Sequence, residues 1–180
     1  MDILEKYERI RPFIKHGDLI LFHGTGIIAR TIQYCDRSYW NHIGVVVEVD
    51  GALFIVDSNE NGVQADRLSW RVAKYKNGDF ALLRSNKNRD LVRYNMGRLL
   101  QRADAKWIRY DFINGAKEML NRRFGWKLEI KPNEDRDICS DWVRRYAEDM
   151  EIVTEKFKEK VLVFPEDYQR FLSPGATMYP

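Results

Sequence analysis

The hydrophobic pattern of the chain changes from strand-like to helix-like near its middle. Helical spacing of Ile3, Tyr7 and Ile10 predicts a short amphipathic helix at the N-terminus. Beyond it, short apolar runs alternate with turn residues, which is typical of strands. These runs predict strands at 19–22, 41–49, 52–57 and 80–84, a further short strand from Val63, and a helix at 27–34.

Turn and capping residues add connections to this pattern. Asp50 and Gly51 lie between two apolar runs, which is a strong signal for an antiparallel hairpin. Later in the chain, 89–103 and 112–124 are predicted helices, and Asp111 and Gly125 suit the start and end of the second. Strands early and helices late indicate an α+β fold, with a small antiparallel sheet packed against helices. Residues 1–180 are expected to form a single domain.

Composition and charge exclude several classes of protein. No apolar run reaches the ~20 residues that a membrane-spanning helix needs. The charged N-terminus lacks a signal core, so a cytoplasmic location is expected, although a protein packaged in a virion or released by lysis would look the same. The net charge of +3 is small, and its basic residues are scattered, which argues against a nucleic-acid partner. Two cysteines and three histidines, without CxxC or HExxH spacing, indicate no metal site and no other cofactor.

Cys139 stands at the start of a helical stripe of apolar residues. Counted from Cys139, positions i+3, i+4, i+7, i+8 and i+11 are Trp142, Val143, Tyr146, Ala147 and Met150. This spacing predicts a helix that docks on the sheet, with Asp137 as its N-cap and the thiol in its first turn. Free amides at a helix start favour a thiolate and can donate to an oxyanion. The alternative is a small cysteine that fills the core.

The predicted hairpin contributes an imidazole and a carboxylate. Strand alternation puts His42 and Gly44 on one face, and Gly44 leaves space beside the imidazole. The hairpin brings the strand of Asp57 beside it. Thiol, imidazole and carboxylate make a catalytic triad whatever their order in the chain. His42 could instead be a structural histidine and Asp57 a turn cap, and Asn59 and Glu60 are the alternative orienting groups.

Several segments, in this order, resemble those of a known family. They are the sequences at 17–21 (GDLIL), 41–46 (NHIGVV), 54–58 (FIVDS), 107–112 (WIRYDF), 138–143 (ICSDWV) and 164–167 (FPED). Together they resemble circularly permuted NlpC-like papain-fold cysteine hydrolases of the YiiX/YaeF-like branch, which are related to lecithin-retinol acyltransferase-like proteins. The likeness extends over most of the chain, from Gly17 to Asp167. It implies a permuted papain-like (NlpC-type) fold.

The resemblance also implies an activity. It assigns a triad to Cys139, His42 and Asp57, which would cleave an amide or ester bond through a thioester without a cofactor. The substrates of the family imply that this chain acts on a peptide, on peptidoglycan or on a lipid/acyl compound. Relatives tend to have Glu where this chain has Asp57 and Asp141.

Three further residues are candidates for substrate binding. They are Tyr110, Trp40 and Ser140, and packing is the alternative role for Tyr110 and Trp40. The alternative function is a non-catalytic lipid- or peptide-binding module on the same scaffold.

Overall fold

A six-stranded antiparallel sheet is the centre of the computed structural model, which describes residues 2–59, 61–105, 109–131, 136–137, 139–160 and 163–180. Its strands are β1 (Leu19–His23), β2 (His42–Val49), β3 (Ala52–Asn59), β4 (Gly62–Arg67), β5 (Asp79–Ser85) and β8 (Ala176–Tyr179). Their order in the sheet is β4-β3-β2-β1-β5-β8, and neighbouring strands pair antiparallel. Two short strands, β6 (Arg109–Tyr110) and β7 (Arg136–Asp137), form a separate parallel pair. The α+β class and the antiparallel sheet predicted from the sequence are confirmed.

Helices cover both faces of this sheet. They are α1 (Ile3–Ile10), α2 (Ile27–Asp36), α3 (Leu68–Lys74), α4 (Arg89–Ala105), α5 (Phe112–Phe124), α6 (Cys139–Trp142), α7 (Arg144–Asp149), α8 (Glu155–Lys158) and α9 (Pro165–Arg170). One buried cluster joins Ile43 and Val45 of β2 to side chains from the later helices, including Trp142 and Phe157. A second cluster joins Val46 of β2 to α1 and α3. No helix in the described ranges has both the length and the apolarity to cross a bilayer.

Local sequence explains the two best-predicted elements. Asp50 and Gly51 have φ of 49° and 76°, the left-handed pair that a type I′ hairpin turn requires. The Asp111 carboxylate accepts a hydrogen bond from the backbone N–H of Asn114 at 3.0 Å, which caps α5. Gly125 ends this helix with φ 71°.

The predicted helix after Cys139 is the main correction. It is divided at Val143 into α6 and α7, so the prediction of one continuous helix is wrong. All five members of its apolar stripe are nevertheless buried. The apolar spacing therefore predicts the buried face correctly and the length of the helix incorrectly. Asp137, predicted as the N-cap, has a side chain outside the described residues.

Candidate active site

His42 and Asp57 form an ion pair at one end of the central hairpin. His42 begins β2, and its Nε2 lies 2.8 Å from Oδ2 of Asp57 on β3. The Asp57 side chain is fully buried, at 0% exposure. Of the two alternative orienting groups, Asn59 bonds to Gln64 within the β3–β4 hairpin, and Glu60 lies outside the described residues. Asp57 is thus the carboxylate that the structure brings to the imidazole.

A glycine permits this pairing. A Cβ added at Gly44 would lie 2.7 Å from the Ile55 side chain and 3.0 Å from Cβ of Asp57. Both distances are too short for ordinary contact. The bare backbone at Gly44 therefore lets β3 approach closely enough for its carboxylate to reach the imidazole.

Arg71 holds the other oxygen of the carboxylate. Its Nη2 lies 3.0 Å from Oδ1 of Asp57 and 2.9 Å from Oδ2 of Asp66. Sequence reasoning missed this residue because α3 was not predicted. The available signal was Leu68 and Val72, which are four positions apart and both fully buried.

Cys139 begins α6, which packs on β2 and β3. It is 3% exposed and belongs to the cluster under the later helices. Cys139 is close enough to His42 and Tyr75 for a charge on its sulfur to act on both groups, so the three share one electrostatic environment. No hydrogen bond between the thiol and the imidazole is found in the part of the chain that the structure describes. Such bonds are often long before a substrate binds.

The pKa of His42 is well above its ordinary value of 6.5. Burial alone lowers this pKa, because it disfavours the charged ring. Tyr75, Cys139 and Asp57 each raise it when they carry a negative charge, and together with the Asp57 hydrogen bond they outweigh burial. Burial raises the pKa of Tyr75, which therefore stays neutral near pH 7. The hydrogen bond between Nε2 and Asp57 favours the charged ring and does not depend on Tyr75.

Tyr75 is a site residue that the sequence analysis did not identify. Its ring stacks on Phe22, with centroids 4.4 Å apart, and lies nearly parallel to the His42 ring at 6.4 Å. Its hydroxyl has no hydrogen-bond partner among the residues described. A neutral phenol in this position can donate a hydrogen bond to a ligand.

A groove of about 570 Å³ opens beside this pair. Ile28 and Ile32 of α2 provide an apolar part of its lining, while His42 and Tyr75 provide polar groups. Further lining comes from basic side chains, namely Arg71, Lys74 and Lys76. Cys139 is not among the lining residues. The groove thus reaches the imidazole directly, whereas the buried thiol does not line it.

Comparison with known proteins identifies the fold. No protein-family model and no curated protein matches the chain. The crystal structure of the metalloprotein YiiX from Escherichia coli O157:H7, DUF1105, is similar, with a TM-score of 0.62 and 16% sequence identity. The alignment covers 92% of this chain and 96% of that chain. The fold is YiiX-like. At this identity the likeness concerns the fold alone, and it agrees with the YiiX-like part of the resemblance seen in the sequence.

Within the YiiX-like fold, two of the predicted substrate-binding residues are buried. The Trp40 indole donates a hydrogen bond to Oε1 of Gln169 at 2.6 Å. The Ser140 hydroxyl donates to the carbonyl of Val163 at 2.6 Å. These contacts give both side chains structural roles, and their contact with substrate stays a prediction. The side chain of Tyr110 lies outside the described residues.

The donor side chains that the structure describes offer little to a metal ion. Within the described ranges, no group of three or more His, Cys, Asp or Glu side chains is arranged to hold a metal ion. The Asp57 oxygens are engaged by His42 and Arg71. The described side chains therefore do not fit a resident metal at this site.

Proposed function

We propose that the chain is a cysteine hydrolase or acyltransferase of the permuted papain-like kind, which cleaves an amide or ester bond through a thioester. The observation that carries the proposal is the His42–Asp57 pair on the two strands against which α6, the helix that begins with Cys139, is packed. A buried carboxylate that orients an imidazole near a thiol is the arrangement that activates cysteine nucleophiles. The relation to lecithin-retinol acyltransferase-like proteins belongs to the same proposal.

Each member of the proposed triad has a chemical role. Asp57 accepts a hydrogen bond from the Nε2–H of His42 and so leaves Nδ1 to exchange protons with the reacting groups. The Cys139 thiolate attacks the carbonyl carbon, and His42 then protonates the leaving group as the carbon–heteroatom bond breaks. Water or another acceptor attacks the thioester, gives its proton to His42 and releases the thiolate. Backbone amides at the start of α6 and the Tyr75 hydroxyl are the proposed donors to the oxyanion.

The lining of the groove supports a class of substrate. Ile28 and Ile32 suit an acyl chain or an apolar peptide side chain, whereas Lys74 and Lys76 suit an anionic group. Peptide, peptidoglycan and lipid/acyl substrates all contain a carbonyl that a thiolate can attack. The proposed substrate is therefore an amide or ester that combines an apolar part with a negative charge.

A non-catalytic lipid- or peptide-binding module is the second candidate function. The observation that favours it is the burial of Cys139, which is 3% exposed and absent from the groove lining. A thiol in that position contacts a substrate carbonyl only after neighbouring side chains move. The groove itself would bind the same apolar and anionic ligands without turnover.

Alkylation of Cys139 distinguishes the two functions. A Cys35→Ser background leaves one cysteine, since the chain has two. The rate of iodoacetamide labelling at pH 7 is compared with that of a free cysteine peptide. The proposed enzyme labels faster than the peptide, and His42→Ala abolishes the advantage because the imidazolium stabilises the thiolate.

His23→Ala is the matched control for this experiment. His23 stacks on Tyr39, and its Nδ1 lies 2.8 Å from the carbonyl oxygen of that residue, whereas Asp57 is paired with His42. Its removal is expected to leave the labelling rate unchanged. Labelling that is slower than the peptide and insensitive to His42→Ala would refute the enzyme and support the binding module.

A further inference from the structure

Exposed apolar side chains concentrate on α2, α5 and the segment 125–131 that follows α5. We call this surface the α2–α5 face. Ile27 is 87% exposed and Trp126 is 54% exposed. The other exposed large apolar residues of the face are Ile28, Tyr34, Ile113, Phe124 and Leu128. Single exposed apolar residues are common on proteins, but seven on adjoining elements mark an interaction surface.

Specific contacts join these elements into one layer. The Arg123 guanidinium lies over the Tyr34 ring at 4.2 Å, which connects α5 to α2. The Asn121 side chain bonds to both the N–H and the carbonyl of Leu128, at 2.8 and 3.0 Å. The Lys117 ammonium donates to the carbonyl of Glu129 at 3.0 Å. The segment after α5 is thus held along the helix, and its apolar residues belong to the same surface as those of α2.

The α2–α5 face is also basic. Residues 112–131 contain five basic and two acidic side chains. Of the basic ones, Arg122 is paired with the buried Asp36 and Asp167, so the charge at the surface comes from the other four. The two acidic residues, Glu118 and Glu129, each lie beside a basic partner within this stretch. Arg123 and Lys127 border the exposed rings of Phe124 and Trp126. This charge complements a negatively charged partner.

We propose that the α2–α5 face docks on an anionic lipid bilayer, with Ile27 and Trp126 among the side chains that enter the interface. Aromatic and aliphatic residues next to Lys and Arg are typical of segments that lie at the headgroup level. Basic side chains near such a surface are attracted by its negative potential. The side chains enter only the interface, so docking needs no membrane-spanning helix.

Docking at this face has a consequence for the groove. Ile28 and Ile32 of α2 line the groove that contains His42, so a bilayer on the outer side of α2 lies beside the groove. An acyl chain could then pass from the bilayer along these isoleucines to the imidazole. This consequence rests on the proposed function, whereas docking itself does not.

Vesicle sedimentation tests the docking proposal with the full chain. Vesicles of phosphatidylcholine with about one-third phosphatidylserine are expected to bind the protein, and binding should weaken as salt is added. Pure phosphatidylcholine vesicles should bind at least about tenfold less, because the electrostatic attraction is missing. The double variant Ile27→Ser/Trp126→Ser should lose at least about tenfold in binding to the anionic vesicles.

Phe13→Ser is the matched control. Phe13 is exposed like Ile27, but its carbonyl accepts a hydrogen bond from Arg84, at the end of the sheet opposite α2. This variant should bind vesicles as the parent does. Lys127→Glu should weaken binding without removing an apolar group. Unfolding midpoints of all variants verify that the fold is retained.

Three outcomes would overturn the proposal. They are no binding to anionic vesicles, equal binding to both vesicle types, and unchanged binding by the double variant. Cys139 labelling measured on the same proteins separates the two proposals. Lost docking with rapid labelling would reject the membrane surface alone, whereas docking with sluggish labelling would reject the hydrolase alone.

Discussion

Asp57→Asn removes the charge at the centre of the candidate site and keeps its shape. In the parent chain the carboxylate accepts hydrogen bonds from His42 and Arg71 through different oxygens, at 2.8 and 3.0 Å. An asparagine can satisfy only one of these two donors with its oxygen. If the oxygen stays with Arg71, the amide N–H₂ faces Nε2 of His42, and the imidazole must carry its proton on Nδ1 instead. The base is then in the wrong tautomer to accept a proton from a thiol.

The magnitude follows from burial. Asp57 is fully buried and the Arg71 side chain is 10% exposed, so the substitution leaves a buried cation facing a neutral amide instead of a carboxylate. Breaking a buried ion pair on one side costs about 3–5 kcal/mol. Asp66 also contacts Arg71 and offsets part of this cost, so we expect a loss near the lower limit, about 3 kcal/mol.

Urea unfolding and thiol labelling measure the two effects on the same protein. Asp66→Asn is the matched control, because Asp66 contacts the same guanidinium at 2.9 Å but does not contact His42. It is 29% exposed, and pairs in such positions contribute about 1 kcal/mol or less. The control should therefore lose little stability and keep the labelling rate of Cys139, whereas Asp57→Asn should reduce both.

Equal losses of unfolding free energy in Asp57→Asn and Asp66→Asn would show that the burial of Asp57 does not determine how much stability is lost. Unchanged labelling of Cys139 in Asp57→Asn would show that the carboxylate does not influence the reactivity of the thiol. Either result would refute the reasoning, the first for the energetics and the second for the triad.

Three further predictions concern groups beside this pair. Because the pKa of His42 is raised on folding, its stabilising effect should be complete below about pH 6.5 and be lost as the pH rises through the raised folded value; the difference in unfolding free energy between the parent and His42→Asn should shrink over that range, and a constant difference would contradict it. Gly44→Ala should destabilise the fold by about 1–3 kcal/mol, since its Cβ would lie 2.7 Å from the Ile55 side chain; urea denaturation measures the loss, and an unchanged midpoint would show that β3 can shift freely. Tyr75→Phe should slow hydrolysis of an activated ester about 100-fold by removing an oxyanion donor but leave Cys139 labelling unchanged; equal rates of hydrolysis would exclude the phenol from that role.

Local patterns predicted the central hairpin and α5 well. The left-handed turn at Asp50 and Gly51, and the caps at Asp111 and Gly125, are each determined by residues close in the chain. The same reasoning placed His42 beside the strand of Asp57, because strand alternation and one turn suffice to bring them together. The resemblance to YiiX-like proteins agreed with the fold as well.

The remaining features depend on packing between distant segments. The helix α3 has only seven residues and draws its stability from Leu68 and Val72 in the core. One pair of apolar residues four positions apart is a weak signal for a helix, because so short a helix is not stable by itself. Arg71 was missed with it. The burial of Cys139 also followed from tertiary packing, since a stripe predicts which face is covered and does not predict whether its first residue can be reached from a groove.

The two halves of the candidate site differ in how far apart they lie along the chain. His42 and Asp57 are 15 residues apart and belong to one hairpin, which is the kind of short-range contact that forms early in folding. Cys139 comes about a hundred residues after His42. The packing of its helix α6 on β2 and β3 is therefore a contact between distant segments, and such contacts form slowly and late. During synthesis the imidazole–carboxylate pair can therefore assemble before the ribosome has made the thiol. If Cys139 is the nucleophile of the proposed function, the complete triad would form only after the later helices have packed on the sheet.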